Sequence, residues 1–248
     1  MEKEKLEEIL KQYKAGRLSL NNVLEKLKFL PFIELGHSKI DHHRALRFGF
    51  PEIIYGEGKK INHLKSIIAQ FHKTYKNFIA TRVSAQQAND ILKDYPNLIY
   101  FPDARILTAK IQKNKNKQIA VICAGTSDYA VAEEAAITLE ILGTGVKRIY
   151  DVGVSGIHRI IPYLKILNRC KILIVVTGME GALPGVVGAI TGKPVIGVPT
   201  SVGYGTHLNG FTPLLAMLNS CVPTVSVVNI NNGFGAAFFA WNILQQHP

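Results

Sequence analysis

The sequence predicts an α/β protein: a parallel five-stranded doubly wound sheet preceded by a smaller N-terminal α+β domain. Three observations lead there. Apolar, β-rich runs at 119–123, 148–152, 172–176, 195–198 and 225–230 lack polar alternation, so both faces of each are buried, as in parallel strands. Each run is followed by a segment of helical period, the alternation that covers a sheet on both sides. The chain also changes character at KNKNK, residues 113–117. All but one unit of its +11 net charge lies in residues 1–120, and 16 of its 21 glycines lie beyond them. The expected organisation is two helices over 1–36, a small α+β domain over 37–117 and the parallel-sheet domain over 118–248.

Leu6, Ile9, Leu10 and Tyr13 share one helical face. Ser19 is placed to cap a second helix bearing Leu20, Val23, Leu24 and Leu27. Residues 37–59 read as an irregular segment rich in His, Arg and Gly. Residues 60–75 have helical period. Short strands are expected at 78–81, 98–100 and 106–111, with a helix over 84–93 between the first two. The five apolar runs and their helices complete the chain.

Composition excludes several classes. At 248 residues, 47% hydrophobic and 19% charged, the chain is neither disordered nor collagenous. It is long enough to bury its own core. Cys123, Cys170 and Cys221 are widely spaced and odd in number, which is no disulfide framework, and no CxxC or Cys/His cluster points to zinc. The longest apolar run, Ile172–Gly178, falls far short of the roughly 20 residues of a membrane span. No signal-type segment opens the sequence. A cytoplasmic protein with no membrane partner is expected. Its basic residues are scattered along helices without interleaved aromatics, so no nucleic-acid partner is expected either.

In a doubly wound sheet, ligands bind beyond the carboxyl ends of the strands. Those ends read GTSDYA (125–130), DVGVSGIHR (151–159), TGMEGALPG (177–185), PTSVGYGTHLNG (199–210) and NINNGFG (229–235). Gly125, Thr126, Ser127 and Asp128 either bind an anion at a helix start or simply cap that helix. Glu180, between Gly178 and Gly181, is the only acidic residue after Asp151. Its charge-poor setting argues against a solvated surface carboxylate. It reads as a general acid/base or a cation partner, or as a charge complementing a helix dipole. His158 and Arg159 could meet phosphate or carboxylate. His207 is a proton carrier or a surface residue. Cys221, by position alone, is a small buried hydrophobe. Neither a GxGxxG fingerprint nor a Walker loop is present.

GTSD, His158–Arg159 and GMEGALPGVVGAITGKPVIGVPTS together resemble aminoimidazole ribonucleotide carboxylase. DHHRALRFGFPEIIYGEGK (41–59), ATRVS (80–84), AGTSDYAVAEEA (124–135), YDVGVSGIHR (150–159), VPTSVGYG (198–205), MLNSC (217–221) and VVNINNGFGAA (227–237) are similar to blocks of a related family. That family is the nickel-pincer cofactor biosynthesis family LarB, pyridinium-3,5-biscarboxylic acid mononucleotide synthase. The likeness spans roughly residues 37–240. It implies carboxylation of nicotinic acid adenine dinucleotide by CO2 at ring carbon 5. Hydrolysis then releases AMP, and the product feeds the nickel-pincer cofactor of lactate racemase-type enzymes.

The resemblance maps the nucleophile to Cys221 and makes Glu180 the candidate for proton transfer. It gives Gly125, Thr126, Ser127, Asp128, His158, Arg159, Gly178, Gly181, Ser201, Gly203, Tyr204, His207, His42, His43 and Arg44 as candidates for substrate contact. It implies Mg2+ carried on the substrate phosphates rather than by protein side chains, with no biotin and no ATP. It also implies an octamer. The sequence departs from the family pattern at THLNG (206–210), at Asn231, where Asp is expected, and at Ser155, where Ala is expected.

Two alternatives stand beside this reading. An aminoimidazole ribonucleotide carboxylase or mutase acts on a ring carbon that is already nucleophilic and needs no cysteine. A non-catalytic binder predicts salt-sensitive association and no turnover. Between Ile172 and Gln246 only Glu180 and Lys193 are charged, which predicts that the second half is covered by other subunits.

Overall fold

The computed structural model describes residues 3–28, 32–34, 36, 38–41, 44, 49–111, 114 and 117–246. The chain divides into two units, one of residues 1–100 with 107–110 and the other of residues 101–106 with 111–248.

In the first unit, α1 (Lys3–Lys14) and α2 (Leu20–Lys28) join through Ile9 and Val23, against which Leu6 and Leu18 pack. Ser19 Oγ accepts from the Asn22 N–H at 3.3 Å, the expected cap. Strands β1 (Phe32–Glu34) and β2 (Lys39–Asp41) form an antiparallel pair, and β3 (Ile54–Tyr55) follows. These two- and three-residue strands lie within or beside the stretch read as irregular, and they are too short to show a period. After α3 (Ile61–Thr74) come β4 (Ile79–Thr81), α4 (Ala85–Asp94), β5 (Ile99–Phe101) and β6 (Ile106–Thr108). They make a four-stranded sheet in the order β3-β4-β6-β5. A capping box between Ser84 and Gln87 starts α4, and Leu64, Ile68, Phe71, Phe78, Ile91 and Leu107 fill the core.

The second unit holds the expected parallel sheet. Its strands are β7 (Lys117–Cys123), β8 (Gly145–Ile149), β9 (Ile172–Thr177), β10 (Val195–Pro199) and β11 (Val225–Val227), in the order β11-β10-β9-β7-β8 with neighbouring strands parallel. The helices are α5 (Tyr129–Ile141), α6 (Leu164–Leu167), α7 (Leu183–Thr191), α8 (Phe211–Leu218) and α9 (Gly233–Gln246). Ala120, Ile122, Leu173, Val175 and Val195 pack with Leu183 and Val187 of α7 and Leu167 of α6. Strand alternation turns the intervening residues to the other face. There, small residues let α5 and α9 lie close together: Ala132, Ala135, Ala136, Ala236, Ala237 and Ala240 are all buried. A Cβ on Gly233 would overlap the Val131 carbonyl oxygen.

Two strands end earlier than their apolar runs. β8 covers 145–149 rather than 148–152, because Asp151 turns to φ 58. The Val152 and Gly153 N–H groups then bond to Cys123 O and Ala124 O. β11 stops at Val227 rather than Ile230, since Asn231 is at φ 55 and its N–H bonds to Pro199 O. In both places apolar residues continue into the turn, so hydrophobicity overshoots the strand.

Candidate active site

The chain runs from β7 outward to β8 and then back to β9 on the other side of β7. The crevice beyond β7 and β9 is therefore the switch point where a ligand is expected. Two glycine-rich turns meet there. One is GTSD after β7; the other is GMEG after β9.

Asp128 is the centre of this end of the sheet. It is only 4% exposed. Its Oδ1 accepts from Thr200 Oγ1 at 2.7 Å, and its Oδ2 accepts from the Gly125 N–H at 3.1 Å. A further backbone bond comes from Gly178. The side chain thus reaches backward and sideways, tying the turns after β7, β9 and β10, and does not cap the α5 that follows. Burial pushes its carboxyl above the usual aspartate range; the Thr200 hydroxyl, the two N–H groups and nearby His207 oppose that rise. Thr126 and Ser127 are exposed on the adjoining 3₁₀ turn.

The turn after β9 is tight. Met179 N–H bonds to Val202 O, and Met179 itself sits at φ 48. A Cβ on Gly178 would overlap the Val202 carbonyl oxygen and stand 2.7 Å from Thr200 Oγ1. Gly181, at φ 72, lies against Pro213 at the start of α8. Glu180 is exposed between them. That corrects the expectation of a sheltered carboxylate: the left-handed Met179 lifts the tip of the turn off the sheet.

The turn after β10 carries Ser201, Gly203, Tyr204 and His207. Ser201 and Asn231 form a bracket: Asn231 Oδ1 accepts from Ser201 N–H at 2.9 Å, while Asn231 Nδ2 donates to Ser201 Oγ at 2.8 Å. Tyr204 is 81% exposed, whereas His207 is buried with its ring against Gly203. At the sheet edge, Arg159 pairs with Asp151 at 2.9 Å, and His158 is exposed.

Cys221 is exposed, in contrast to the buried Cys123 and Cys170. Burial pushes the Cys123 thiol up to about 11, which leaves it a packing residue. Cys221 follows Ser220, whose Oγ stands 3.5 Å from the place a Cβ on Gly185 would take. The MLNSC segment therefore runs beside the first turn of α7, the helix that begins just after the turn bearing Glu180.

The structure thus gathers Gly125, Asp128, Gly178, Ser201, Gly203 and His207 at one end of the sheet. Thr200, joined to Asp128, was not singled out from sequence; a threonine after VP carries no signal of its own. Arg44 is half-buried in the other unit, and His42 and His43 lie outside the described residues. Among the described residues no three carboxylate, imidazole or thiol groups converge as a metal site.

Comparison with known proteins follows the same division. The LarB/PurE-like N-terminal domain model matches residues 32–113, and the AIR carboxylase model matches residues 118–248. The chain is 41% identical to an uncharacterized protein of Methanocaldococcus jannaschii, over 95% of each. It is 33% identical over 140 residues to the N5-carboxyaminoimidazole ribonucleotide mutase of Pyrococcus horikoshii, covering 53% of this chain and 75% of that one. The mutase of Thermotoga maritima is also 33% identical, over 51% of this chain and 74% of its own. Among solved structures, a PurE2 variant of Treponema denticola covers 54% of this chain and 82% of its own, at 22% identity and a TM-score of 0.45. With its parallel-sheet domain matched from end to end, the chain belongs to the AIR carboxylase family and carries a LarB/PurE-like N-terminal domain.

Proposed function

We propose that this carboxylase- or mutase-type enzyme carboxylates the pyridinium ring of nicotinic acid adenine dinucleotide at carbon 5 and then hydrolyses the phosphoanhydride, releasing AMP. The observation that carries the reading is the exposed Cys221, in the segment whose Ser220 lies against the first turn of α7, with Glu180 on the turn entering that helix. The N-terminal domain match over 32–113 supports it, because the mutase relatives cover only about half of this chain.

The chemistry requires such a thiol. A pyridinium ring is electron-poor, so its carbon 5 does not attack CO2. Addition of the Cys221 thiolate at carbon 4 forms a C–S bond and sends an electron pair to the ring nitrogen. The resulting dihydropyridine is an enamine at carbon 5. That carbon attacks CO2, forming the new C–C bond and leaving an iminium. Glu180 then takes the carbon-5 proton, the C–S bond breaks, and aromaticity returns with the thiolate free. The balance is CO2 in and one proton out, so neither biotin nor ATP is needed. Water afterwards cleaves the phosphoanhydride. This reading assigns the substrate's phosphate oxygens to Thr126, Ser127 and Arg159. Magnesium belongs to this reading as an ion held by the substrate's phosphates, supplying charge neutralisation there. The active form is a homo-oligomer, an octamer.

The test is mass spectrometry of protein incubated with nicotinic acid adenine dinucleotide, magnesium and carbon-13 bicarbonate, with and without Cys221→Ala. Labelled dicarboxylated mononucleotide and AMP, lost in the variant, are expected. Well-folded wild-type protein that makes neither product overturns the reading. The second reading, aminoimidazole ribonucleotide carboxylation or mutation, rests on the mutase relatives; it predicts turnover of that ribonucleotide with Cys221→Ala fully active.

A further inference from the structure

Among the described residues, His207 is the one buried imidazole, and the proposed chemistry does not use it. It is 5% exposed and lies in the THLNG segment, residues 206–210. The Gly210 N–H donates to its Nδ1 at 3.2 Å. A nitrogen that accepts carries a lone pair, so the ring is neutral with its proton on Nε2. That Nε2 is sealed from solvent and has no hydrogen-bond partner among the described residues.

The surroundings make this one bond important. Leu208, Asn209 and Gly210 take three successive left-handed conformations, φ 50, 54 and 103. Non-glycine residues resist that region, so the run needs an anchor. The Gly210 N–H supplies one to His207, whose ring lies on Gly203, where a Cβ would overlap Cγ and Cδ2. A single side chain thus clips both ends of the loop 203–210. The loop follows directly on Thr200 and Ser201, which hold Asp128 and Asn231.

We propose that the Gly210 N–H···Nδ1 bond is a protonation-sensitive latch: neutral His207 holds the 203–210 loop closed, and a proton on Nδ1 releases it. An imidazolium has no acceptor, so the Gly210 N–H and the Nδ1–H would face each other as two donors. The unpaired Nε2–H already costs the closed state, and it gains a partner only when the loop moves. The charged groups around the ring are few. Asp128, on the turn after β7, is electrostatically coupled to His207. Glu180, on the turn after β9, is exposed. The turn after β11 offers only the amides Asn229, Asn231 and Asn232, and α8 carries no charge. Tyr204, on the loop itself, is exposed. The latch is independent of which substrate the site takes.

The experiment is amide hydrogen exchange of residues 203–210 in the whole protein at about pH 8 and about pH 5, the span in which histidines titrate. Rates are corrected for intrinsic exchange, with β9 as the internal standard. Protection of the loop is expected to fall about fivefold in acid, the equilibrium weight of one ordinary hydrogen bond, while β9 is unchanged. In His207→Asn the side-chain carbonyl stands where Nδ1 was and does not titrate, so protection is expected to stay level. Wild-type protection that does not change with pH, or a His207→Asn loop that opens in acid like the wild type, overturns the latch. Nitrogen-15 spectra of the wild-type imidazole at about pH 8 decide it without any variant: a protonated Nδ1 there overturns the proposal.

Discussion

Asp128 shows how much one buried carboxylate organises. Burial pushes its carboxyl above the usual aspartate range, and the Thr200 hydroxyl and two backbone N–H groups oppose that rise. Thr200→Val removes one donor of a charged hydrogen bond, worth about 1.5–3 kcal/mol, and should push the Asp128 carboxyl further up. The pH sign follows. A carboxyl that titrates above its unfolded value of about 3.9 binds its proton more tightly in the folded protein. Stability is therefore lost as pH rises from the unfolded value through the folded one. Urea unfolding in acid and near neutrality, with a carboxyl carbon-13 titration, checks both: the variant should lose more stability near neutrality than in acid. The three thiols make a second prediction. Brief alkylation of the folded protein should mark Cys221 and spare Cys123 and Cys170, which are buried and whose thiols burial pushes up. Peptide mapping that finds Cys123 labelled first would contradict the packing described here. Residue types and order disclosed Asp128 as a candidate but not its role, while Cys221 read by position as a buried hydrophobe and became a candidate only through the family resemblance. GTSD reads equally as a cap, and only folding reveals that Asp128 turns away from its own helix toward Thr200, 72 residues on.

At the scale of elements, the parallel strands were legible because a strand buried on both faces must be apolar throughout, and β7, β9 and β10 each bury nearly every residue. The short strands of the first unit were less so, since two or three residues cannot display a period. Turns were the least legible. Their geometry rests on positive φ values at Asp151, Met179 and Asn231, non-glycine residues that no composition rule singles out. Two substitutions test the turns. Gly178→Ala drives a methyl into the Val202 carbonyl and Thr200, neither of which is a flexible side-chain end. A loss of about 3 kcal/mol is expected, seen as a lower urea midpoint. Asn231→Asp keeps the acceptor for Ser201 N–H, and the Ser201 hydroxyl can rotate to donate to the second oxygen. That change should cost under about 1 kcal/mol, which explains how Asn can stand in a block where Asp was expected. Asn231→Ala, losing both bonds, should cost about twice a single hydrogen bond.

The whole molecule poses the question of what covers its second half. Tyr204, Leu208, Phe211, Leu215 and Leu218 are all more than half exposed on the loop before α8 and along that helix. The charge-poor stretch read from sequence is therefore not all enclosed within one chain; part of it is apolar surface. Exposed large apolar residues on consecutive elements are what an interface between copies looks like when one copy is seen alone. Homo-oligomer assembly through α8 is the expected outcome. Leu215→Glu places a charge on that surface without touching the sheet, so the fold should persist while the assembly weakens. Light scattering of wild type and variant provides the check. A stable wild-type oligomer that falls to smaller species in the variant, with an unchanged circular dichroism spectrum, supports the interface. A wild-type monomer contradicts assembly altogether, and a variant that assembles normally moves the interface away from α8. The position matters for chemistry because α8 lies between the turn bearing Glu180, which Pro213 touches, and the segment bearing Cys221. Any copy seated on α8 would border both.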